Sequence, residues 1–204
     1  KAGGEVSFSA LEHGTKEDFE LMTQAYCDAT TGQKLGGRAL DMLLALKGDE
    51  FKLSAKVDLY EHGLQTATRA LHDNADEETV VCALLHDIGE LLSPSNHGEV
   101  AAGILRPYVS PQNWWMLAHH EVFQGYYYYH HMGGDRNTRD LYRSSPHFQA
   151  TAHFCQSYDQ PSFDPTFKSE KLDVFVPMVN RVFSRKPYFF DPTHPKACAV
   201  VGGT

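Results

Sequence analysis

The sequence contains little cysteine, no long apolar run and fewer basic than acidic residues. Its four cysteines, Cys27, Cys82, Cys155 and Cys198, lie far apart and form no CxxC pair. This distribution is typical of reduced thiols in the cytoplasm and argues against a disulfide framework. No segment approaches the roughly 18 consecutive apolar residues of a membrane-spanning helix. We therefore expect a cytoplasmic protein without a membrane partner.

The charge balance narrows the possible partners further. The chain carries 18 Lys and Arg against 26 Asp and Glu, a formal net charge of −8. Such a surface does not attract the phosphates of nucleic acids or anionic lipids. A small-molecule substrate is the expected partner, and an anionic one would need a local basic patch.

Alternating strand patterns are absent, and apolar residues recur at helical spacing almost throughout. The 204 residues are enough for one hydrophobic core but too few for two domains of ordinary size. We predict a single-domain all-α bundle with N-terminal helices in 1–54, a core in 55–185 and a C-terminal tail in 186–204, of which the last residues, CAVVGGT, are expected to be disordered. Four predicted helices have defined ranges: 16–27, 38–47, 147–158 and 173–184. Between them we predict a helix at 57–72, one that starts at Asn74 or Asp76 and includes the apolar run at 80–92, a short helix closed by Pro107, and one that starts at Ser110-Pro111. A Tyr-rich and Gly-rich loop is predicted at 122–143.

Several polar residues occur at positions that the helical spacing assigns to the apolar, core-facing side. Burying an unpartnered histidine or carboxylate costs several kcal/mol, and four imidazoles cannot all satisfy one another. Imidazole and carboxylate ligands suit iron, manganese or zinc, and the lack of cysteine argues against a structural zinc site. Six protein ligands exceed the need of one open catalytic metal, which suggests two metals bridged by a carboxylate. The predicted metal ligands are His62, His86, Asp87, His97, His120 and Asp159.

The adjacent pair His86-Asp87 is unusual for a helix. Consecutive helical side chains point about 100° apart, so both can reach one inward site only near a distortion or a helix end. Gly89 follows closely enough to mark such an end.

The segment YEHGLQTATRA, which contains His62, precedes LLHDIGE, which contains His86 and Asp87, and YDQPSFDP, which contains Asp159. This order resembles the HD-domain superfamily, whose signature is a first His, a His-Asp doublet and a distal Asp. The resemblance covers roughly residues 55–185. It implies an HD-type helical bundle around a metal centre.

Two further histidines resemble the extra ligands of dinuclear members: His97 in NHGEVAAGIL and His120 in WMLAHHEVFQ. The neighbouring His119 is an alternative to His120, and the apolar residues before the pair favour His120. The resemblance is strongest to the mixed-valent diiron oxygenases, such as myo-inositol oxygenase and the phosphonate-cleaving enzymes. It implies an Fe(II)/Fe(III) pair bridged by Asp87, with O2 as co-substrate and cleavage of a C–C or C–P bond.

The sequence departs from these relatives at positions that influence substrate. A Tyr and a Glu that precede the first histidine in the phosphonate enzymes are replaced by Lys52 and Ala55. Where relatives often carry a basic residue after the doublet, this chain has Glu90. We therefore expect a different substrate, with Glu90 among the residues that contact it.

The segment 122–143 supplies the other predicted substrate residues. Its tyrosines, with Trp114 and Trp115, either pack a surface loop or form an aromatic wall that, with Glu90, suits a cationic group. Its arginines either lie on a solvated face or bind a carboxylate or phosphonate. The candidates in this segment are Tyr126, Tyr128, Arg136, Arg139 and Arg143, and His119, which lies just before it, is a further candidate.

Three functions remain open from the sequence. The first is a diiron oxygenase acting on a small hydroxylated substrate, such as a phosphonate or quaternary-ammonium compound. The second is a metal-dependent HD phosphohydrolase acting on a phosphate ester or nucleotide. The third is a non-catalytic metal or ligand sensor, which the complete ligand set disfavours.

Overall fold

The computed structural model describes residues 4–187. Over this range the chain forms α-helices joined by short 3-10 turns, and no strand occurs within it. This confirms the predicted all-α fold. The α-helices are α1 (Lys16–Ala29), α2 (Gly32–Ala45), α3 (Leu59–His72), α4 (Glu77–Leu85), α5 (His97–Leu105), α6 (Pro111–Tyr128), α7 (Phe148–Phe154) and α8 (Leu172–Phe183).

Side-chain caps fix where the central helices begin. The Asp58 carboxylate accepts a hydrogen bond from the Glu61 amide at 2.8 Å and starts α3. Asp76 caps α4 in the same way at 2.9 Å. Ser110 caps α6, and Pro111 occupies the first helical position, where no backbone N–H is needed. These caps satisfy amide donors that have no partner within their own helix.

The core lies between three pairs of packed helices: α3 with α4, α5 with α6, and α2 with α8. Large apolar side chains with almost no exposed surface fill it, including Leu43, Leu84, Leu117, Phe154 and Phe175. Their burial stabilises each helix by about 1.5–3 kcal/mol per side chain. A group of buried polar residues lies within this apolar interior, where α3, α4, α5 and α6 converge.

The predicted loop at 122–143 is wrong in its first part. Helix α6 continues through Tyr128, and 3-10 turns follow at Tyr129–Met132 and Arg136–Tyr142. Gly125 does not break the helix; it provides room for a ring. A Cβ at this position would lie 2.3 Å from the Tyr129 side chain.

Other predicted boundaries also need correction. Helix α2 begins at Gly32 and not at 38, and the predicted helix 147–158 is α7 followed by a π-helical turn at Cys155–Asp159. The apolar run of α4 stops at Leu85 and does not continue to 92. Within residues 4–187 no helix has both the length and the apolarity needed to cross a membrane. Most of the predicted tail, 188–204, lies outside the described residues.

Candidate metal centre

The structure brings all six predicted ligand residues to one buried place. His62, His86 and Asp159 have no exposed surface, and His120 is 1% exposed. Two groups have ligand atoms close enough to hold an ion: His62 with His86 and Asp159, and His86 with Asp87 and His120. His97 completes the second side, with its Nε2 lying 3.2 Å from His120 Nε2.

The Asp87 carboxylate separates two sets of histidines. Its Oδ2 lies 3.4 Å from His62 Nε2 and 3.3 Å from His86 Nε2. Its Oδ1 lies 3.3 Å from the Nε2 atoms of both His97 and His120. Each oxygen therefore faces its own pair of imidazoles, which is the arrangement of a bridging carboxylate.

The end of α4 explains how adjacent residues both reach this place. The helix stops at Leu85, His86 keeps helical dihedrals, and Asp87 leaves them with φ −102° and ψ 7°. A 3-10 turn at Ile88–Leu91 follows directly. The change of backbone at Asp87 lets both side chains point inward, as the sequence pattern required.

The second nitrogen of each ring has an acceptor that fixes the tautomer. Nδ1 of His62 lies 2.9 Å from the Ser162 carbonyl oxygen. Nδ1 of His86 and Nδ1 of His120 each lie 2.8 Å from a carbonyl oxygen, those of Ala83 and Leu117. An Nδ1–H that donates to a carbonyl leaves the Nε2 lone pair free to bind a metal.

His97 is held differently from the other three histidines. Its Nδ1 lies 2.8 Å from Oε1 of Glu90 and 3.1 Å from the Pro94 carbonyl oxygen. Oε1 of Glu121 lies 3.7 Å from the same nitrogen. This ring is therefore the one among the four that has carboxylates beside its outer nitrogen.

Asp159 enters the centre from the π-helical turn that follows α7. Its Oδ1 lies 3.2 Å from His62 Nε2 and accepts a hydrogen bond from Gln124 at 2.5 Å. Its Oδ2 is buried and has no hydrogen-bond partner among the described residues. A buried carboxylate oxygen without a donor is costly, and a metal ion would satisfy it.

The electrostatics of the cluster favour positive charge. Burial alone lowers the pKa of a histidine, because it penalises the charged ring. The carboxylates of Asp87 and Asp159 outweigh burial and raise the pKa of His86 to about 9. Asp87 and Glu90 likewise outweigh burial and raise the pKa of His97 to about 11. Although burial opposes it, the facing histidines hold the pKa of both aspartates well below the usual range.

The donor set fits metal ions. Pairs of Nε2 atoms face each other at 3.1 Å, between His62 and His86, and at 3.2 Å, between His97 and His120. Donors at right angles around an ion with bonds of about 2.1 Å lie roughly 3 Å apart. With each Nδ1 donating outward, the facing Nε2 atoms need either a shared proton or a metal ion between them. The ligands are nitrogen and oxygen without sulfur, which suits iron, manganese or zinc.

The residues predicted to contact substrate occupy several places. Glu90 contacts the cluster through its carboxylate, which lies beside Nδ1 of His97. The His119 ring stacks on Trp115 at 4.0 Å, and its Nδ1 lies 2.9 Å from the Trp115 carbonyl oxygen. His120, not its neighbour, faces Asp87. Tyr128 is 40% exposed, and burial of the rest of its side chain is the main factor that raises its pKa.

The contacts of the predicted arginines are with aromatic and acidic side chains other than the six clustered residues. The guanidinium carbons of Arg136 and Arg139 lie 4.0 Å and 3.7 Å from the centre of the Tyr126 ring. Arg143 is exposed and paired with Asp140 at 3.0 Å. Within residues 4–187 none of the three shows an ion pair with a ligand carboxylate, so their role in binding substrate stays a prediction.

The tyrosines of the predicted aromatic wall lie at the end of a helix, and neighbouring rings contact each other edge to face. Tyr126, Tyr127 and Tyr128 follow one another on α6, and consecutive helical side chains point about 100° apart. Trp115 packs with His119 and Tyr142. The wall therefore stays a prediction, for rings carried mostly by a helix and not by a loop.

Three residues at the centre were missed by the sequence analysis. Gln124 lies one turn after His120 on the same face of α6, so helical spacing from the ligand could have indicated it. Glu121 accepts a hydrogen bond from the Gly98 amide at 2.8 Å. Phe163 stacks on the His62 ring at 4.3 Å. The last two depend on contacts between segments, for which the sequence offers no periodic signal.

Comparison with known protein families adds an independent observation. Residues 59–152 match the HD domain family. No curated protein matches the chain. The matched segment holds five of the six clustered residues, and Asp159 follows it. Over this segment the chain is similar to HD domains, and the His-Asp geometry of the buried cluster fits that similarity.

Proposed function

We propose that this protein is a dinuclear metalloenzyme, and specifically an O2-dependent diiron oxygenase that cleaves a C–C or C–P bond of a small hydroxylated molecule. The observation that carries the proposal is the Asp87 carboxylate, whose two oxygens face two separate pairs of histidines. One ion would need only one of these sets. Together with Asp159, the arrangement offers donors for two.

The two proposed subsites differ in how many donors the chain supplies. His62, His86, Asp159 and Oδ2 of Asp87 would hold the first ion. His97, His120 and Oδ1 of Asp87 would hold the second, which leaves more coordination positions open to a small molecule. When bound, the iron pair would supply O2 activation and oxidation at a substrate carbon. The side chains of Asp87 and His97, 12% and 15% exposed, mark the side from which solvent reaches the centre.

The chain's own residues orient the metal ligands and keep most water out. Backbone carbonyls hold three imidazoles by their Nδ1 atoms, and Gln124 holds Asp159. The Phe163 ring covers the His62 side. A substrate hydroxyl would approach on the opposite side, where His97 and Asp87 are partly exposed.

A metal-dependent phosphohydrolase is the second candidate, because the HD domain match is compatible with that chemistry. The charges around the centre disfavour a strongly anionic substrate, whether a phosphate ester or a phosphonate, and so favour an oxygenase that cleaves a C–C bond. The charged side chains that flank His97 are acidic, Glu90 and Glu121.

Metal analysis combined with two activity assays tests the proposal. We expect about two iron ions per chain after anaerobic loading, a mixed-valent diiron signal in low-temperature EPR, and O2 consumption with a hydroxylated substrate from a screen of polyols, phosphonates and amino alcohols. Asp87→Asn should abolish the signal. Asp41→Asn removes an exposed acid on α2 and serves as the matched control. One ion per chain, or phosphate release from nucleotides without O2, would overturn the oxygenase assignment.

A further inference from the structure

Glu90 makes a contact that distinguishes one metal-facing histidine from the others. The Nδ1 atoms of His62, His86 and His120 have backbone carbonyls as their nearest acceptors. Nδ1 of His97 has the Glu90 carboxylate at 2.8 Å. A carboxylate is charged, whereas a carbonyl is neutral, so the four rings are not electronically equivalent.

The local backbone is built for this contact. Glu90 belongs to the 3-10 turn Ile88–Leu91, and His97 is the first residue of α5. Gly89 lies so close to His97 that a Cβ would come within 2.1 Å of the His97 carbonyl oxygen. The missing side chain lets the turn pack directly on the helix start, which brings the Glu90 carboxylate to the outer face of the ring.

A carboxylate behind a histidine strengthens that histidine as a ligand. It draws the Nδ1 proton, fixes the ring orientation and makes Nε2 a better electron donor. This effect matters most at the second subsite, since the chain supplies fewer donors there. Glu90 also adds a negative charge next to an ion that has only one bridging carboxylate.

We propose that Glu90 is a positioning residue for His97 and sets the occupancy of the second metal subsite, the one formed by His97, His120 and Asp87 Oδ1. The inference rests on the proposed dinuclear centre. It also changes the interpretation of Glu90: the sequence predicted a contact with substrate, whereas the contact in the structure is with a ligand. The Glu90 side chain is 15% exposed, as expected for a group that is packed against the His97 ring.

Zinc titration against a competing chelator tests this role without relying on turnover. Glu90→Gln keeps the shape and removes the charge. We expect it to weaken binding of the second Zn2+ by about 10- to 100-fold and leave the first unchanged. His120→Ala removes a ligand of the same subsite and provides the reference pattern.

Glu99→Gln is the matched control. Glu99 lies in the same first turn of α5 but is exposed and has a hydrogen bond from Asn96 at 3.3 Å. The Glu99→Gln variant should bind both Zn2+ ions with wild-type affinity. Two ions at wild-type affinity in Glu90→Gln, or an equal loss at both subsites, would overturn the positioning role. A wild-type protein that takes up only one ion would instead refute the proposed dinuclear centre.

Discussion

Replacing Gly89 by alanine should damage the centre through backbone geometry. The added Cβ would come within 2.1 Å of the His97 carbonyl oxygen and 2.8 Å of the His97 Cα. Both are backbone atoms, so no flexible side chain can move aside. The turn that carries Glu90 must shift away from α5, and the Nε2 atom of His97 must then move relative to Asp87.

The expected magnitude follows from the cost of overpacking. Forcing an extra carbon into a well-packed site costs about 1–3 kcal/mol in the free energy of unfolding. Gly103 provides a matched control, because it lies within α5 and a Cβ there meets nothing within 4 Å. Gly103→Ala should instead stabilise the protein by roughly 0.5–1 kcal/mol, the helix propensity difference.

Urea denaturation and metal analysis together measure both effects. Gly89→Ala should lower the free energy of unfolding and reduce the bound metal to about one ion per chain, whereas Gly103→Ala should retain the wild-type content. If Gly89→Ala were as stable as Gly103→Ala and bound the wild-type amount of metal, the close approach of the turn to α5 would have no functional importance.

Three further predictions concern groups around the centre and at the chain start. Asp58→Ala should cost about 1–2 kcal/mol in urea denaturation, because the α3 cap is lost. Gln124→Leu should weaken metal binding roughly tenfold in chelator competition, since Asp159 loses its donor; unchanged affinity would contradict this. Hydrogen bonds from the Ser7 backbone and other donors lower the pKa of Asp18 from 3.8 to about 2. Its ionised form therefore stabilises the fold above pH 4, and this stabilisation fades as the pH falls towards 2. The difference in melting temperature between wild type and Asp18→Asn should shrink over that range, and a constant difference would contradict the assignment.

The buried His-Asp cluster was predictable because polar side chains stood at positions that helical periodicity assigns to the core. His62, His86 and His120 are such positions, and their mutual need for a partner follows from the cost of burial. The end of α4 was also predictable, since the His86-Asp87 pair cannot face one site from a regular helix. These inferences use local spacing and burial, which the sequence records directly.

The surroundings of the ligands were not predictable in the same way. Glu90 was expected to contact substrate because relatives often carry a basic residue at this position. Its contact with His97 forms only when the 3-10 turn packs on α5, which the sequence does not reveal. The predicted helix α6 was too short because Gly125 was taken as part of a Gly-rich loop. In the structure Gly125 leaves room for the Tyr129 ring, a contact that the sequence does not reveal. Arg136 and Arg139 stack on Tyr126, a contact that their spacing alone does not specify.

Asp159 comes from the segment after α7, and this has a consequence for local unfolding of the protein. The Ser162 carbonyl accepts from His62 across a separation of 100 residues, and Arg69 on α3 binds the Pro161 carbonyl at 3.0 Å. An ion shared by His62 and Asp159 would act as a removable cross-link between these distant segments. Chelation should therefore release the segment after α7 from α3 before the rest unfolds, and hydrogen exchange of its amides would report metal loss locally.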